Sequence, residues 1–384
     1  MPKPVKKKQS FAEIAKQKTR FTNVILRKPV WKGPWVDGIT QSLLGTYLVC
    51  KERFRLCTIE GWGTADHFAH RIEYGQMWHT CEEYYAAGED WEKALHEYCV
   101  VLAERYRSDS AEVLKYFRIC KTQFPVYIDF WNEHEEYDMS SVKPIVQEFS
   151  FKVPYKLPSG RVVKLRGKWD SVDQVKENDK NVIYLQENKT KGDLNEQQIK
   201  RQLHFDMQTC IYLVALHTYK KELGLKAPIK GVRYNCVRRP LSGGRGTIRM
   251  RKATKNNPAE TPDQFYKRLE DDVLREYPEH FFKRWEVKVT LKDLENFKRT
   301  FLNPVLENVL DDYEWWAHCF DKKSDPFDYS TRELLFPNHA QRHYRFPYGV
   351  WNPITDGGGG DLEEFMTSGS TVGLVKIDNL FPEL

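Results

Sequence analysis

The sequence predicts an α/β protein: a mixed, α+β-like sheet with flanking helices and a helical insertion. Three observations lead there. Apolar positions recur at helical spacing through much of 67–124. From Lys143 the period shortens to two, and the turn signals Leu157-Pro-Ser-Gly160 and Lys176-Glu-Asn-Asp-Lys180 divide three extended runs. A helical stretch then separates the third run from a fourth at 229–237, which allows that strand to lie parallel to an earlier one.

In chain order, residues 1–38 read as a basic arm, with a short helix at 11–18, and an irregular entry punctuated by Pro29, Gly33, Pro34 and Gly38. Thr40 or Ser42 caps a helix over 43–57, where Leu43, Leu44, Tyr47, Leu48 and Phe54 share a face. The block at 67–140 is mostly helical. One helix carries His79 beside a stripe of Met77, Trp78, Cys81, Tyr84 and Tyr85; others run over 91–106 and 111–124, and Pro125 ends the last. Strands follow at 146–153, closed by Pro154, then at 162–169, which delivers Asp170, and at 182–187. Their short loops make an antiparallel meander.

A single helix is expected over 195–219, since Ile199, Leu203, Met207, Cys210, Ile211, Val214 and Leu216 keep helical spacing. After a basic loop at 238–259, Thr261 caps a helix that starts with Pro262. A strand over 281–289 precedes a long helix over 291–320 that kinks at Pro304. Residues 39–355 thus read as one domain. Residues 356–384 read as a separate linker, Gly357 to Gly360, and an acidic tail.

Composition narrows the function classes. With 40% hydrophobic and 14% aromatic residues, the chain is able to bury a substantial core. It has no apolar run long enough for a membrane span, and Met-Pro-Lys-Pro-Val-Lys-Lys-Lys is not a secretory leader. Scattered cysteines without a Cys-x-x-Cys pair suit a reduced, cytoplasmic protein and argue against a zinc ribbon. The net charge of +6 is uneven: residues 1–28 carry nine Lys or Arg, and 238–259 carry seven with no acid. Such tracts favour a polyanion partner, although a solvated tail and loop would carry the same charge. Arg245, Arg249, Arg251 and Lys252 are the candidate nucleic-acid contacts.

The chemistry-bearing residues concentrate in 166–212. Glu187 and Lys189 are two apart at the end of one extended run, and so share a face if it is a strand. Asp170 lies just past the preceding run. Two carboxylates and an ammonium converging at strand ends make a hard-cation site with a positive charge beside it, which is what phosphodiester hydrolysis requires. Gln208 and Tyr212, four apart, share one helical face.

Order and spacing sharpen this reading. Gly75-Gln-Met-Trp-His79 comes first, then an acid, Glu148, on a strand; Gly167-Lys-Trp-Asp170, Gln186-Glu-Asn-Lys189 and Gln208-Thr-Cys-Ile-Tyr212 follow. In this order the chain resembles the PD-(D/E)XK nuclease superfamily, and within it the RecB-type branch that includes phage exonucleases. The 42–54 helix is similar to that branch's opening helix. The resemblance covers roughly 39–240 and implies a restriction-endonuclease-like core. His79, Asp170 and Glu187 would be metal ligands, with the backbone carbonyl of Asn188 as a further one. Lys189 would activate the attacking water or stabilise phosphate charge, and Gln208 and Tyr212 would position substrate or the catalytic core. The implied cofactor is Mg²⁺ or Mn²⁺. The implied activity is a deoxyribonuclease, an exonuclease working on single- or double-stranded DNA ends in replication, recombination or repair. A structure-specific endonuclease on the same core and a binding protein with a decayed site are the alternatives. Many relatives in that branch hold an iron–sulfur cluster with an early cysteine and a C-terminal cysteine trio. Cys50 stands near the early position, but no trio follows, and 331–356 offers His339 and His343 instead, so no cluster is expected.

Overall fold

The computed structural model of the chain describes residues 29–64, 68–134, 142–203, 206–240, 249–255, 257–321, 374–377, 379–381 and 384. The expected helix at 11–18, Arg245, the glycine run at 357–360, His339 and His343 lie outside these residues. The chain divides into two compact units. One comprises Met1–Ala65, Lys152–Gly167 and Asn296–Leu384, the other Asp66–Phe151 and Lys168–Glu295.

In chain order, the elements are α1 (Gln41–Val49), α2 (Lys51–Phe54), β1 (Trp62–Thr64), α3 (His70–Ala86), α4 (Trp91–Arg105), α5 (Ser110–Glu133), β2 (Lys143–Lys156), β3 (Val162–Glu177), β4 (Lys180–Lys191), α6 (Glu196–Leu203), α7 (Met207–Tyr219), β5 (Ile229–Arg238), α8 (Pro262–Leu269), β6 (Phe282–Lys288), α9 (Leu291–Phe297), α10 (Asn303–Asp321) and β7 (Leu374–Lys376). The main sheet has the order β2-β3-β4-β5-β6. β3 and β4 are antiparallel, β4 and β5 parallel, and β5 and β6 antiparallel. The mixed α/β architecture expected from the sequence is therefore the one observed.

Several local expectations need correction. α5 runs through Pro125 to Glu133, because Phe124, Val126, Tyr127 and Trp131 are all buried and tie both sides of the proline into one core. β2 likewise passes Pro154; as an edge strand it tolerates a residue without an N–H. The helix expected over 195–219 is two helices: Asp206 has extended backbone and caps α7, accepting from the Thr209 N–H at 3.0 Å and the Thr209 hydroxyl at 2.8 Å. The helix expected over 43–57 breaks at Cys50, whose extended backbone starts α2, and a wide π turn follows at Arg55–Ile59. The long C-terminal helix opens into a π turn at Lys298–Leu302, just ahead of Pro304, which has no N–H to return to the preceding turn. β3 does not end at Asp170 but continues to Glu177. It turns into β4 through Asn178 and Asp179, both at positive φ (46° and 64°), the backbone of a tight hairpin turn.

In the first unit, Trp31 is fully buried and meets Phe54 and Tyr313 edge-on, at centroid distances of 5.6 and 5.0 Å. Arg55 is buried between Glu52 and Glu60, donating to both. Part of the stretch read as a separate tail pairs with the chain: β7 is antiparallel to β1, and the Ile377 N–H donates to Gly61 O at 2.7 Å. In the second unit, α3, α4 and α5 form a continuous core with the sheet through Trp78, Leu95, Phe124, Tyr127 and Phe282. Gly75 lets α3 come close to β4, since a Cβ there would stand 3.3 Å from Thr190 Oγ1.

Candidate active site

The site lies in the second unit and is assembled from β2, β3, β4, α3 and α7. On β4, Glu187 and Lys189 share a face as the period requires, and Lys189 Nζ is 2.8 Å from Glu187 Oε2. Asp206 caps α7 so that Gln208 sits in its first turn, above this pair. Gln208 is bonded to both: Lys189 Nζ donates to Gln208 Oε1 at 3.0 Å, and Gln208 Nε2 donates to Glu187 Oε2 at 3.1 Å. The second Glu187 oxygen, Oε1, is buried with no hydrogen-bond partner. Tyr212, one turn on, is buried and packs edge-on against Phe151 at 5.3 Å. Its phenol is pushed up by burial and by the Glu187 charge, and stays neutral.

Beside this group, His79 Nδ1 lies 3.6 Å from Glu148 Oε1 and 3.7 Å from Asp170 Oδ1. The three residues offer donor atoms that all lie within 4.8 Å of one another. The other Asp170 oxygen accepts from the backbone N–H of Asn188 at 2.7 Å, which couples β3 to the Glu-x-Lys segment of β4. Lys168 is ion-paired with Glu148. Glu148 itself has φ +46° within a strand, a left-handed backbone that costs a non-glycine residue on the order of 1–3 kcal/mol. The strained residue is one whose carboxylate stands in the cluster.

The electrostatics fit a cation-binding site. Burial alone would lower the His79 imidazole, but Asp170, Glu148 and Glu82 outweigh it and raise it to about 9. Burial also favours the neutral form of Glu148, yet His79 and Lys168 hold that carboxyl below its ordinary range. Glu187 is pushed up to about 7, by burial first; Lys189 pulls it down and Asp170 pushes it up. Burial lowers Lys189, but Glu187, Asp170 and Asp206 more than reverse that, so the ammonium stays charged. A cluster of carboxylate oxygens and one imidazole, with a buried carboxylate oxygen left unpartnered, suits a hard divalent cation.

Of the residues singled out in the sequence, His79, Asp170, Glu187, Asn188, Lys189, Gln208 and Tyr212 all come to this region. Arg249, Arg251 and Lys252 are exposed and are not among the side chains bonded to the cluster. Their segment is fastened instead by Glu260, which accepts from the Arg251 N–H, and by Arg268, which donates to Arg249 O. Glu148 entered the sequence reading as an acid in the motif order, not as a metal ligand. Its left-handed backbone is a feature that alternation does not reveal. Lys168 was missed as well, although its position two residues before Asp170 was a usable signal.

No curated protein matches the chain. A family model described as the PD-(D/E)XK nuclease superfamily matches residues 39–292, a span that includes every side chain of the cluster. With the mixed five-stranded sheet and the Asp170, Glu187, Lys189 arrangement on neighbouring strands, that match establishes that the chain belongs to the PD-(D/E)XK nuclease superfamily.

Proposed function

We propose that this protein is a metal-dependent deoxyribonuclease that degrades DNA from its ends. The observation that carries the reading is the bonded group Glu187–Lys189–Gln208 lying beside the His79, Glu148 and Asp170 donors. His79, Glu148, Asp170 and Glu187 would hold Mg²⁺ or Mn²⁺, with the Asn188 carbonyl as a further oxygen. The chemistry such a cation supplies is a lowered pKa for water and neutralised charge on the phosphate.

The chain's own residues do the rest. Lys189, an ammonium paired with Glu187 and bonded to Gln208, stabilises negative charge on the phosphate. Gln208 fixes the relative position of Glu187 and Lys189 through its two hydrogen bonds. The Asn188 amide holds one Asp170 oxygen, leaving the other turned to His79. Tyr212 supports this arrangement by packing on Phe151. The exposed cations Arg249, Arg251 and Lys252, with Arg245, supply sequence-independent attraction to the phosphate backbone. Superfamily membership supports a nuclease; action from ends, and a role in recombination or repair, rest on the motif order in the sequence.

The test is digestion of end-labelled linear DNA, single- and double-stranded, alongside a closed circle, in Mg²⁺ or Mn²⁺. Stepwise loss of label with the circle intact is expected. Cutting of the closed circle would replace the exonuclease reading with an endonuclease one.

A further inference from the structure

Behind the Glu187–Lys189 face lies a second set of polar groups. Asn188 pairs with Asn235 across the parallel ladder, and Asn235 pairs with Arg284 across the antiparallel one. The three side chains form one buried row, with Asn235 fully inaccessible. Arg284 Nε donates to Asn235 Oδ1 at 3.3 Å, and Asn235 Nδ2 donates to Asn188 Oδ1 at 3.1 Å. Two helices close over the row: Asn235 Nδ2 is 2.7 Å from Glu82 Oε1 on α3 and 2.7 Å from the Tyr127 hydroxyl on α5. The Tyr127 hydroxyl in turn donates to Glu82 Oε1 at 3.0 Å and accepts from Arg284 Nη2 at 3.2 Å.

Such a network is costly to bury, since any group left unpaired loses its hydrogen bonds to water without replacement, and apolar side chains would pack as well. What it achieves here is fixation of Asn188 from the face opposite Glu187 and Lys189. The Asn188 backbone N–H holds Asp170, and Glu82 lies three residues after His79 on the same helix. One side chain, Asn235 on β5, thus joins Asn188 of β4, whose backbone amide orients Asp170, to the helix that presents His79. We propose that Asn235 is a positioning residue for the metal-binding carboxylates, acting through Asn188 and Glu82 without touching substrate or cation. The inference rests on the nuclease reading above.

Calorimetric titration with Mn²⁺ tests it without relying on turnover. Asn235→Leu is expected to weaken Mn²⁺ binding roughly 10–100-fold, the usual effect of losing a partner that orients a ligand. The Mn²⁺ concentration for half-maximal DNA cleavage should rise by a similar factor, with the rate recovering as Mn²⁺ saturates. The double variant with Asn188→Ala should bind Mn²⁺ no more weakly than Asn235→Leu alone, since Asn235→Leu has already broken the bond between the two side chains. Arg233→Met is the control for general loosening of the sheet: Arg233 lies on the same strand as Asn235 but outside the row, its loss breaks a half-buried ion pair with Glu286 of β6 (2.7 Å), and Mn²⁺ affinity should stay unchanged. Should Asn235→Leu fail to fold, Asn188→Ala carries the same expectation from the other end of the bond. Wild-type Mn²⁺ affinity in both Asn235→Leu and Asn188→Ala, or an equal loss in Arg233→Met, overturns the inference while leaving the nuclease reading intact. A wild-type chain that binds no Mn²⁺ overturns both.

Discussion

Glu148 offers a prediction in which stability and function part company. It occupies a strand with φ +46°, and its side chain is 14% exposed between His79 and Lys168. Compare Glu148→Ala with Glu148→Gly. Both delete the carboxylate, so the lost pairings with His79 and Lys168 cancel in the comparison. At an ordinary strand position Gly is less stable than Ala by about 0.5–1 kcal/mol, because it has more freedom to lose. A left-handed backbone costs a residue with a Cβ about 1–2 kcal/mol and costs Gly almost nothing. The difference favours Gly by up to about 1.5 kcal/mol, the reverse of the usual order. Urea unfolding in the presence of a chelator measures it. Both variants should also bind Mn²⁺ at least about tenfold more weakly than wild type. An alanine variant clearly more stable than the glycine variant would refute the strained backbone. Unchanged Mn²⁺ affinity in both would refute the role assigned to the carboxylate.

Other expectations follow from the same structure. Lys189→Ala should lower the cleavage rate by at least about 100-fold at saturating Mn²⁺, as loss of a transition-state charge stabiliser does, while Mn²⁺ binding by calorimetry is not weakened. Chelation should abolish cleavage by the wild type, and added Mg²⁺ or Mn²⁺ should restore it. Arg55→Leu would remove the cation paired with both Glu52 and Glu60, which are buried; a loss of about 3–5 kcal/mol in urea unfolding is expected. Gly75→Val should destabilise by about 1–3 kcal/mol, because its Cβ would press on Thr190 Oγ1 across the contact between α3 and β4.

The parts of the fold that follow from local pattern were legible. β4 and β5 read as strands, the helical crossover allowed β5 to lie parallel to an earlier strand, which the structure shows to be β4, and Thr261 was recognisable as a cap; it forms a capping box with Gln264. Failures came where long-range packing outweighed local signals. Pro125 and Pro154 are strong breakers in sequence, yet the buried aromatic residues around Pro125 and the edge position of β2 let both elements continue. The break before α7 was hidden because apolar spacing continues across it, and only the Asp206 cap marks the new start. At the site, Glu187 with Lys189 on a strand and Gln208 with Tyr212 on a helix share faces set by simple periodicity, and the structure brings Glu187, Lys189 and Gln208 into hydrogen-bond contact. Glu148 stands on a left-handed backbone, and Asn235 joins its neighbours by register across three strands; neither property is written in the spacing of one segment.

The most direct test of the central claim is cleavage of end-labelled DNA by the wild-type chain and by Asp170→Asn, side by side, in Mg²⁺ and in Mn²⁺. Asp170 joins the two halves of the site, accepting from the Asn188 amide and facing His79. The predicted result is metal-dependent loss of label for the wild type and none for Asp170→Asn, with both proteins folded. Equal cleavage by the two, or no cleavage by the wild type with either metal, would contradict the account.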